Sequence, residues 1–341
     1  MFRDSTKQGR RRFLKTTGSA VLVGSTAGCV SNLRGGGTTD LSIAIPHYGF
    51  NWDTSSPFVV GQEKGFFEEE GVSLSKIEVG GGGKNVRAVV AGDADIALGT
   101  GLFAIMSAYR RGTGIRMIAN QVSAATDFFW VSKEGSEYQS KSDVEGASGL
   151  SIGYSSPGSS TNMTALGAID ALNMDAEAVA VGGPPDSIAA VKTGEVDLSW
   201  VTAEFLFDPK KAQGVNNVFH GADIPPFDSM TVRGNLAQAS WLENNGDDAR
   251  SYLKARKRTL DWIYNNVEEA ANILGDEMDV ANAPKIIQDS LNAGAYAREH
   301  LRMDDITNLP TAMDLGVKYD YLDSKLSQDE LDKMVDTSYL P

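Results

Sequence analysis

The stretch that decides the fold of this chain occurs twice: residues 88–100 read AVVAGDADIALGT, and residues 190–202 read AVKTGEVDLSWVT. The two copies align at a constant offset of 102 positions, and the match extends backward, where residues 77–81 (IEVGG) align with 179–183 (VAVGG). A shared register of this length indicates an internal repeat. The matched pairs include Ala88 and Ala190, Gly92 and Gly194, Asp95 and Asp197, and Thr100 and Thr202.

Each copy has the features of a helix that ends at a glycine and runs directly into a strand. Gly92 and Gly194 suit the left-handed position after a helix, because glycine has no Cβ to clash there. The apolar runs at 96–98 and 198–200 lack strict alternation, which favours strands covered on both faces. With an apolar run and a Gly-rich turn upstream, each copy predicts a strand–helix–strand crossover. We therefore expect two Rossmann-like α/β lobes with parallel-rich sheets.

Length, composition and charge set the outer bounds. A chain of 341 residues with 41% hydrophobic residues is expected to form about two domains with ample cores. The net charge is −14, and it becomes −19 without residues 1–28, which hold six Lys/Arg and one Asp. This acidity argues against nucleic acid and anionic lipid head groups as partners. It also suggests a surface adapted to high salt, where charges are screened.

The first 28 residues have the pattern of an export signal. Residues 10–15 read RRRFLK, which fits the twin-arginine pattern of two arginines, a spacer and Phe-Leu-Lys. A weakly apolar run of small residues at 16–28 follows, and it is too short for the ~20 residues of a bilayer span. Residues 1–28 are therefore predicted to be a signal peptide. Its recognition residues are Arg10, Arg11, Phe13 and Leu14.

Cys29 is the single cysteine of the chain, and it follows Ala27 and Gly28 at the end of the apolar run. This position favours lipid modification of a new N-terminal residue, the alternative being a small buried side chain or a stray thiol. A lone cysteine also removes disulfides and Cys-based zinc sites from consideration. Residues 29–40, with three glycines and two threonines in a row, are predicted to be a flexible tether.

Two loops are candidates for ligand contact. The loop after the first predicted strand, 41–45, holds Tyr48 and Trp52 at the carboxyl edge of a parallel sheet, where ligands usually bind. This position favours ligand contact for both residues, the alternative for Trp52 being that it caps the core. The corresponding loop of the second lobe, 155–161, has five Ser/Thr in seven residues and enters a helix. Free N–H groups, the helix dipole and hydroxyls converge there. An ordinary N-cap is the alternative, but it needs fewer hydroxyls, so the pattern favours a ligand site.

The glycine run at 80–85, GGGGKN, does not match a phosphate-binding Walker loop. That loop needs a glycine five positions before the Gly-Lys pair, where this chain has Glu78. Asn85 also replaces the hydroxyl that would bind magnesium. Nucleotide hydrolysis is therefore not expected, although a glycine-lined helix start can still present backbone N–H groups to an anion.

The sequence shows no familiar catalytic constellation. His47, His220 and His300 fall in different predicted elements without metal-ligand spacing, and no serine sits in a Gly-x-Ser-x-Gly nucleophile elbow. Asp95 and Asp197 stand between a helix and a strand in separate lobes, so we expect them to make local hydrogen bonds. We therefore expect a protein that clamps a small ligand between lobes by hinge closure, without catalysis, cofactor or metal.

Four segments resemble the solute-binding proteins of ABC importers. They are residues 64–72 (KGFFEEEGV), 90–97 (VAGDADIA), 191–197 (VKTGEVD) and 266–271 (NVEEAA), the last matching a C-terminal helix of the family. The branch they resemble most is the nitrate, sulfonate, taurine and thiamine-precursor family, over about residues 41–340. The resemblance implies the type II periplasmic binding protein fold. Its motifs build the scaffold and do not identify the ligand.

The domain boundaries follow from two predicted crossings between the lobes. Residues 127–131 are expected to enter lobe two, and the Pro-rich stretch at 225–230 is expected to return from it. Lobe one is thus predicted to comprise 41–126 and 229–341, and lobe two 127–228. The helices of the last third are expected to pack on lobe one.

The resemblance also implies a function. It predicts a monomeric, lipid-anchored receptor on the outer face of the cell membrane that delivers a small organic solute to a permease and its ATPase. The solute would be a sulfonate-, taurine- or nitrate-like anion, or a thiamine-precursor-like heterocycle.

One alternative function is a thiamine-pyrimidine-synthase-like enzyme on the same fold. Such enzymes look like pyridoxal-phosphate proteins with a Cys-rich motif, which this chain lacks, and its export signal argues against a cytosolic synthase. Another is a ligand-sensing partner of a membrane kinase.

The positions that line the cleft in that family can be carried over to this chain. Glu204 is a departure: a carboxylate in the cleft disfavours a sulfonate or nitrate and suits an amine or a heterocycle with N–H donors. The alternative is that Glu204 faces solvent. The predicted ligand-binding residues are Tyr48, Trp52, Thr100, Gly101, Ser156, Gly158, Ser159, Ser160, Thr161 and Glu204.

Overall fold

Two five-stranded mixed β-sheets organise the chain in the structure, a computed structural model that describes residues 38–341. We call each sheet with its helices a lobe. The sheet of lobe one contains β1 (Thr39–Ile45), β2 (Val72–Glu78), β3 (Ile96–Gly101), β4 (Ile115–Val122) and β10 (Arg233–Gln238). The sheet of lobe two contains β5 (Phe128–Lys133), β6 (Ser148–Tyr154), β7 (Asp175–Ala180), β8 (Leu198–Thr202) and β9 (Val215–His220).

The two sheets have equivalent strand orders, β2-β1-β3-β10-β4 and β7-β6-β8-β5-β9. In each sheet the first three strands pair in parallel. The fourth strand, β10 or β5, is antiparallel to both of its neighbours. In each lobe this fourth strand is the first strand that follows a crossing: β5 follows the crossing into lobe two, and β10 follows the return to lobe one. The sequence repeat is therefore a repeated parallel three-strand unit, and the prediction of two α/β lobes is confirmed.

Thirteen α-helices accompany the sheets within residues 38–341. The segment from Ser55 to Gly71 forms two helices, because Gly65 takes a left-handed φ of 71° between them. The helices are α1 (Ser55–Glu63), α2 (Phe66–Glu69), α3 (Asn85–Ala91), α4 (Leu102–Arg110), α5 (Lys141–Val144), α6 (Ser160–Ala171), α7 (Pro184–Thr193), α8 (Ala203–Phe207), α9 (Ala239–Asn265), α10 (Val267–Met278), α11 (Ala283–Asn292), α12 (Leu309–Lys318) and α13 (Gln328–Met334).

The helices of the repeat end as the sequence predicts. Gly92 follows α3 and Gly194 follows α7, and both take a left-handed φ of 78°. The strands that come next, β3 and β8, are buried along their whole length. Burial on both faces explains why their apolar runs do not alternate with polar residues.

The two aspartates of the repeat make the same bonds in each lobe. Asp95 Oδ2 accepts hydrogen bonds from the backbone N (2.8 Å) and Oγ (2.7 Å) of Ser42. Asp197 Oδ2 accepts from the same two atoms of Ser151, at 2.8 and 2.7 Å. Each aspartate thereby fixes the start of one parallel strand against the next. The expectation of local hydrogen bonding is confirmed for both.

The chain crosses between the lobes twice, and the two crossings touch. Residues 123–127 connect β4 to β5, and residues 221–232 connect β9 to β10. The backbone N of Ala125 in the first crossing donates to the carbonyl of Phe227 in the second, at 2.7 Å. The lobes are therefore linked by a pair of adjacent strands of chain, the arrangement of a two-stranded hinge.

The last third of the chain packs on lobe one and also reaches lobe two. Helices α9 and α10 contact α1, and α9 contacts α2. The hydroxyl of Tyr321 accepts a hydrogen bond from the backbone N of Gly158 (2.9 Å), and the hydroxyl of Tyr319 donates to the carbonyl of Leu166 (3.1 Å). The segment that follows α12 therefore bonds to the loop and the helix that follow β6.

Residues 1–37 lie outside the described part of the chain. The predicted signal peptide (1–28), its recognition residues and Cys29 all fall there. Strand β1 begins at Thr39, so the tether predicted for 29–40 gives way to regular structure before its expected end. Within residues 38–341, no helix combines the length and the apolar character that a bilayer crossing requires.

Candidate ligand-binding cleft

A cleft of about 510 Å³ lies between the two lobes. Its walls include the loops that follow β1 and β2 and the end of β3 in lobe one. In lobe two they include the loops that follow β6 and β7, the end of β8 and the start of α8. These are the carboxyl ends of parallel strands, where open α/β sheets bind ligands. The volume falls in the range of small-molecule sites in proteins.

The start of α6 forms one wall of the cleft with four hydroxyl side chains. Thr161 Oγ1 accepts from the backbone N of Ser155 (3.0 Å), and Ser159 Oγ caps the helix by accepting from the backbone N of Asn162 (3.1 Å). The amides of the first turn have no acceptor within the helix itself. The predicted residues Ser159, Ser160 and Thr161 all line the cleft, together with Ser155.

The loop after β1 forms the facing wall, and Tyr48 lies on it. The backbone N of Tyr48 donates to Glu78 (3.1 Å) and its hydroxyl to Glu277 (2.9 Å). Burial, reinforced by Glu277, raises the pKa of the Tyr48 phenol. Trp52 lies on the same loop but does not line the cleft; its side chain is buried in the core of lobe one.

Aromatic side chains cover much of the remaining surface. Phe128 meets Trp200 edge to face, with ring centroids 5.7 Å apart. The Trp200 Nε1 donates to the carbonyl of Gly182 (3.3 Å), which orients the indole. The ring centroids of His47 and Trp200 are 6.4 Å apart. Burial lowers the pKa of His47, with Glu78 opposing, so the imidazole is neutral near pH 7. The aromatic residues lining the cleft are His47, Tyr48, Phe50, Phe128, Trp200 and Phe205.

A buried ion triad forms part of the cleft wall. Arg233 Nη2 lies 2.9 Å from Asp127 Oδ2 and 3.2 Å from Asp53 Oδ2. Burial raises the pKa of Asp127 to about 6, although Arg233 opposes the change. Burial by itself lowers the pKa of Arg233, but the two carboxylates outweigh it and raise that pKa. Asp53 and Arg233 line the cleft, and Asp127 lies behind them.

Glu204 takes neither of the positions considered from the sequence. It is fully buried and faces neither the cleft nor solvent. One carboxylate oxygen accepts from the backbone N of Trp52 (2.6 Å) and the other from the hydroxyl of Tyr296 (2.7 Å). Burial raises the pKa of Glu204 to about 7, while these two bonds oppose the rise. Glu204, at the start of α8, thereby ties lobe two to lobe one beneath the cleft.

Of the other predicted residues, Gly101 and Gly158 lie at a contact between the lobes. The backbone N of Ala104, in α4, donates to the carbonyl of Gly158 (3.2 Å). A Cβ on Gly101 would lie 2.4 Å from that same oxygen, so only glycine fits. Thr100 is buried and accepts from the Asn85 amide (3.1 Å). Thr100, Gly101, Ser156 and Gly158 are all outside the set of cleft-lining residues.

Several cleft residues were not among the sequence predictions. Asp53 is adjacent to the predicted Trp52, and Trp200 lies inside the repeat, so both carried a positional signal. Arg233 is a basic residue at the start of a buried strand, which is itself an unusual pattern. Within residues 38–341, no group of three or more His, Cys, Asp or Glu side chains is arranged to hold a metal ion.

Two α/β lobes that enclose a cleft at the ends of their parallel strands, joined by a two-stranded hinge, define a two-lobed binding-protein fold. The chain belongs to the NMT1/THI5-like family, whose model matches residues 52–270. No curated protein sequence matches the chain significantly.

Solved structures share this fold at low sequence identity. The periplasmic nitrate-binding protein NrtA from Synechocystis PCC 6803 is 15% identical with a TM-score of 0.69, covering 89% of this chain and 87% of its own. The periplasmic aliphatic sulphonate-binding protein SsuA from Escherichia coli is 18% identical with a TM-score of 0.63, covering 85% and 91%. A zinc-bound ligand-binding component of an ABC-type import system from Staphylococcus aureus is 14% identical with a TM-score of 0.67, covering 89% and 98%.

Proposed function

We propose that this protein is the extracytoplasmic substrate-binding component of an ABC importer and captures a small organic solute in the interlobe cleft. The observation that carries the proposal is the cleft itself. It holds about 510 Å³ between two lobes, at the ends of their parallel strands. The paired crossings 123–127 and 221–232 would act as the hinge on which the lobes close over the solute.

The structural neighbours support this proposal because their names describe binding components for nitrate, for aliphatic sulphonates and for an ABC-type import system. The sequence supports an extracytoplasmic location through the twin-arginine pattern at 10–15 and the lipid attachment expected at Cys29. We infer a monomer that is held at the outer face of the membrane by its N-terminal lipid. There it would deliver its solute to a permease and ATPase.

Within this proposal the solute is bound and released without covalent change. The cleft offers hydroxyls, aromatic faces and an ion triad already paired within itself, which are groups that hold and orient a ligand. A synthase of the same family would instead consume its ligand.

The test is thermal unfolding of residues 30–341 in high salt against taurine, alkyl and aryl sulfonates, nitrate, aminopyrimidines and polyamines. A ligand at 100 times its Kd adds about 2.7 kcal/mol to the free energy of unfolding and raises the midpoint. Mass spectrometry of the ligand released by denaturing the complex should recover it chemically unchanged. Recovery of a converted product would contradict the proposal and favour an enzyme.

A further inference from the structure

Asp53 is held in the cleft wall by one of its two carboxylate oxygens. Its Oδ2 accepts from Gln121 Nε2 (2.8 Å) and from Thr54 Oγ1 (3.2 Å), and it lies 3.2 Å from Arg233 Nη2. The backbone carbonyl of Asp53 accepts from Arg256 Nη2 (3.3 Å). Three donors on one oxygen fix the orientation of the carboxylate, and they leave the second oxygen out of the network.

That second oxygen is an unpartnered acceptor in a buried position. Asp53 is 1% exposed, and its Oδ1 has no hydrogen-bond partner among the residues that the structure describes. Asp53 lines the interlobe cleft. A buried carboxylate oxygen without a donor is costly, and native proteins rarely leave one unless a ligand or water supplies the bond.

The charges around the cleft indicate which kind of donor fits. Asp53, Glu78 and Asp186 line it with negative charge, against Lys84 and Arg233 with positive charge. The Arg233 guanidinium is already bound to two carboxylates, which neutralise it more than fully. An anionic group placed at Asp53 Oδ1 would be repelled, whereas a charged N–H donor would gain a charge-assisted hydrogen bond.

We propose that Asp53 Oδ1 is the specificity-determining acceptor of the cleft, and that the solute carries a nitrogen base, an amine or amidine, that is protonated at neutral pH. The proposal rests on the proposed binding function and names the class of its substrate. The indole of Trp200, which also lines the cleft, suits the same class, because a cation is attracted to the face of an aromatic ring.

Matched probe pairs test the proposal on the wild-type protein. Benzylamine is compared with benzyl alcohol, and taurine with isethionate, since each pair differs in an ammonium against a hydroxyl; nitrate and methanesulfonate are the simple anions. Isothermal titration should show that at least one amine binds and that its hydroxyl partner binds at least tenfold more weakly. Equal affinity within the pairs, or no binding by any amine, overturns the proposal.

Substitutions then test whether the preference for an amine depends on Asp53. Asp53→Asn places an amide where the free oxygen lies and should weaken the amine that binds by at least tenfold. Asp93→Asn removes the same charge from an exposed position and should stay within twofold of wild type. An Asp53→Asn protein that keeps wild-type affinity overturns the proposal. If this variant does not fold, the matched pairs on the wild-type protein still decide.

The anion probes separate this proposal from the function on which it rests. If nitrate, methanesulfonate or isethionate binds and no amine does, the importer function stands and the role of Asp53 is overturned. If no member of any series binds to a folded protein, both proposals lose their support.

Discussion

At the scale of single residues, Glu204 is a carboxyl group whose ionisation the fold opposes. Burial raises its pKa to about 7 from an ordinary value of 4.5. In the unfolded chain it loses its proton near pH 4.5, whereas in the folded protein it keeps that proton until about pH 7. Its contribution to stability is therefore complete below pH 4.5 and is lost as the pH rises toward 7.

The variant Glu204→Gln should remove this pH dependence. The amide keeps the shape of the side chain and cannot ionise. The difference in free energy of unfolding between wild type and variant should change by about 3 kcal/mol between pH 4.5 and 7, with wild type losing stability as the pH rises. Denaturant unfolding at a series of pH values measures it.

The control for this experiment is Glu277→Gln, which removes an exposed carboxylate that also accepts a bond from a tyrosine, Tyr48. The opposite contribution of the half-buried His47, whose lowered pKa costs stability below pH 6.5, is common to all three proteins and cancels when each variant is compared with wild type. Parallel profiles for wild type and Glu204→Gln would show that Glu204 does not titrate in this window.

Individual residues of the site were only partly predictable from the sequence. The hydroxyls of Ser159, Ser160 and Thr161 could be predicted because their signal is local: the segment has more hydroxyls than one helix cap needs. The pairing of Asp53 with Arg233 could not be predicted, because β10 joins the sheet beside β3 only after the chain has returned from lobe two. The burial of Glu204 likewise depends on Tyr296, which no local pattern places beside it.

At the scale of elements, the end of β3 and the loop after β6 touch across the two lobes. Gly101 has an ordinary extended backbone (φ −61°, ψ 138°), so alanine there would not strain its own strand. The added Cβ would instead lie 2.4 Å from the carbonyl oxygen of Gly158 and 2.7 Å from Ser159 Cα. The substitution therefore acts on the approach of the lobes.

Gly101→Ala should hold the lobes apart. We expect the solute identified by the binding panel to bind at least tenfold more weakly, a loss of about 1.4 kcal/mol or more. The radius of gyration from small-angle X-ray scattering should increase. Asp93→Ala is the control, since Asp93 is exposed and does not line the cleft. Wild-type affinity in Gly101→Ala would show that closure does not need this contact.

Elements were easier to predict than their limits. The helices and strands of the repeat could be predicted from local signals. Gly92 and Gly194 indicate where the helices end, and the continuous apolar runs after them indicate strands that are buried on both faces. The break at Gly65 cannot be read from the sequence, because a glycine within a helical segment is compatible with both a continuous helix and a stop. In the structure Gly65 takes a left-handed φ of 71°, and α1 and α2 on either side of it are in contact.

At the scale of the whole molecule, the negatively charged side chains outnumber the positive ones and repel one another. The net charge is −14, and −19 without residues 1–28. The Debye length falls from about 10 Å at 0.1 M salt to about 3 Å at 1 M, so salt screens most of this repulsion. Self-repulsion destabilises a compact state more than an expanded one.

Raising sodium chloride from 0.1 to 1 M should therefore increase the free energy of unfolding of residues 30–341. A variant with several exposed acidic residues replaced by lysine should show a smaller increase, because it has less repulsion to screen. Denaturant titrations with urea, which is uncharged, give both values without adding ions. A stability that falls with salt would mean that attractive ion pairs outweigh the net repulsion.

The contact between Ala125 and Phe227 means that the polypeptide enters and leaves lobe two at one place. The part of the gene that encodes lobe two can therefore be exchanged as a single piece, because the two ends of that piece lie side by side in the folded protein. Exchanging it for the corresponding stretch of a relative requires only two joins, both in the crossings and neither inside a sheet. Chimaeras made in this way separate the contribution of the α6 hydroxyl wall from that of the Asp53 wall, because the two walls lie on opposite sides of the joins.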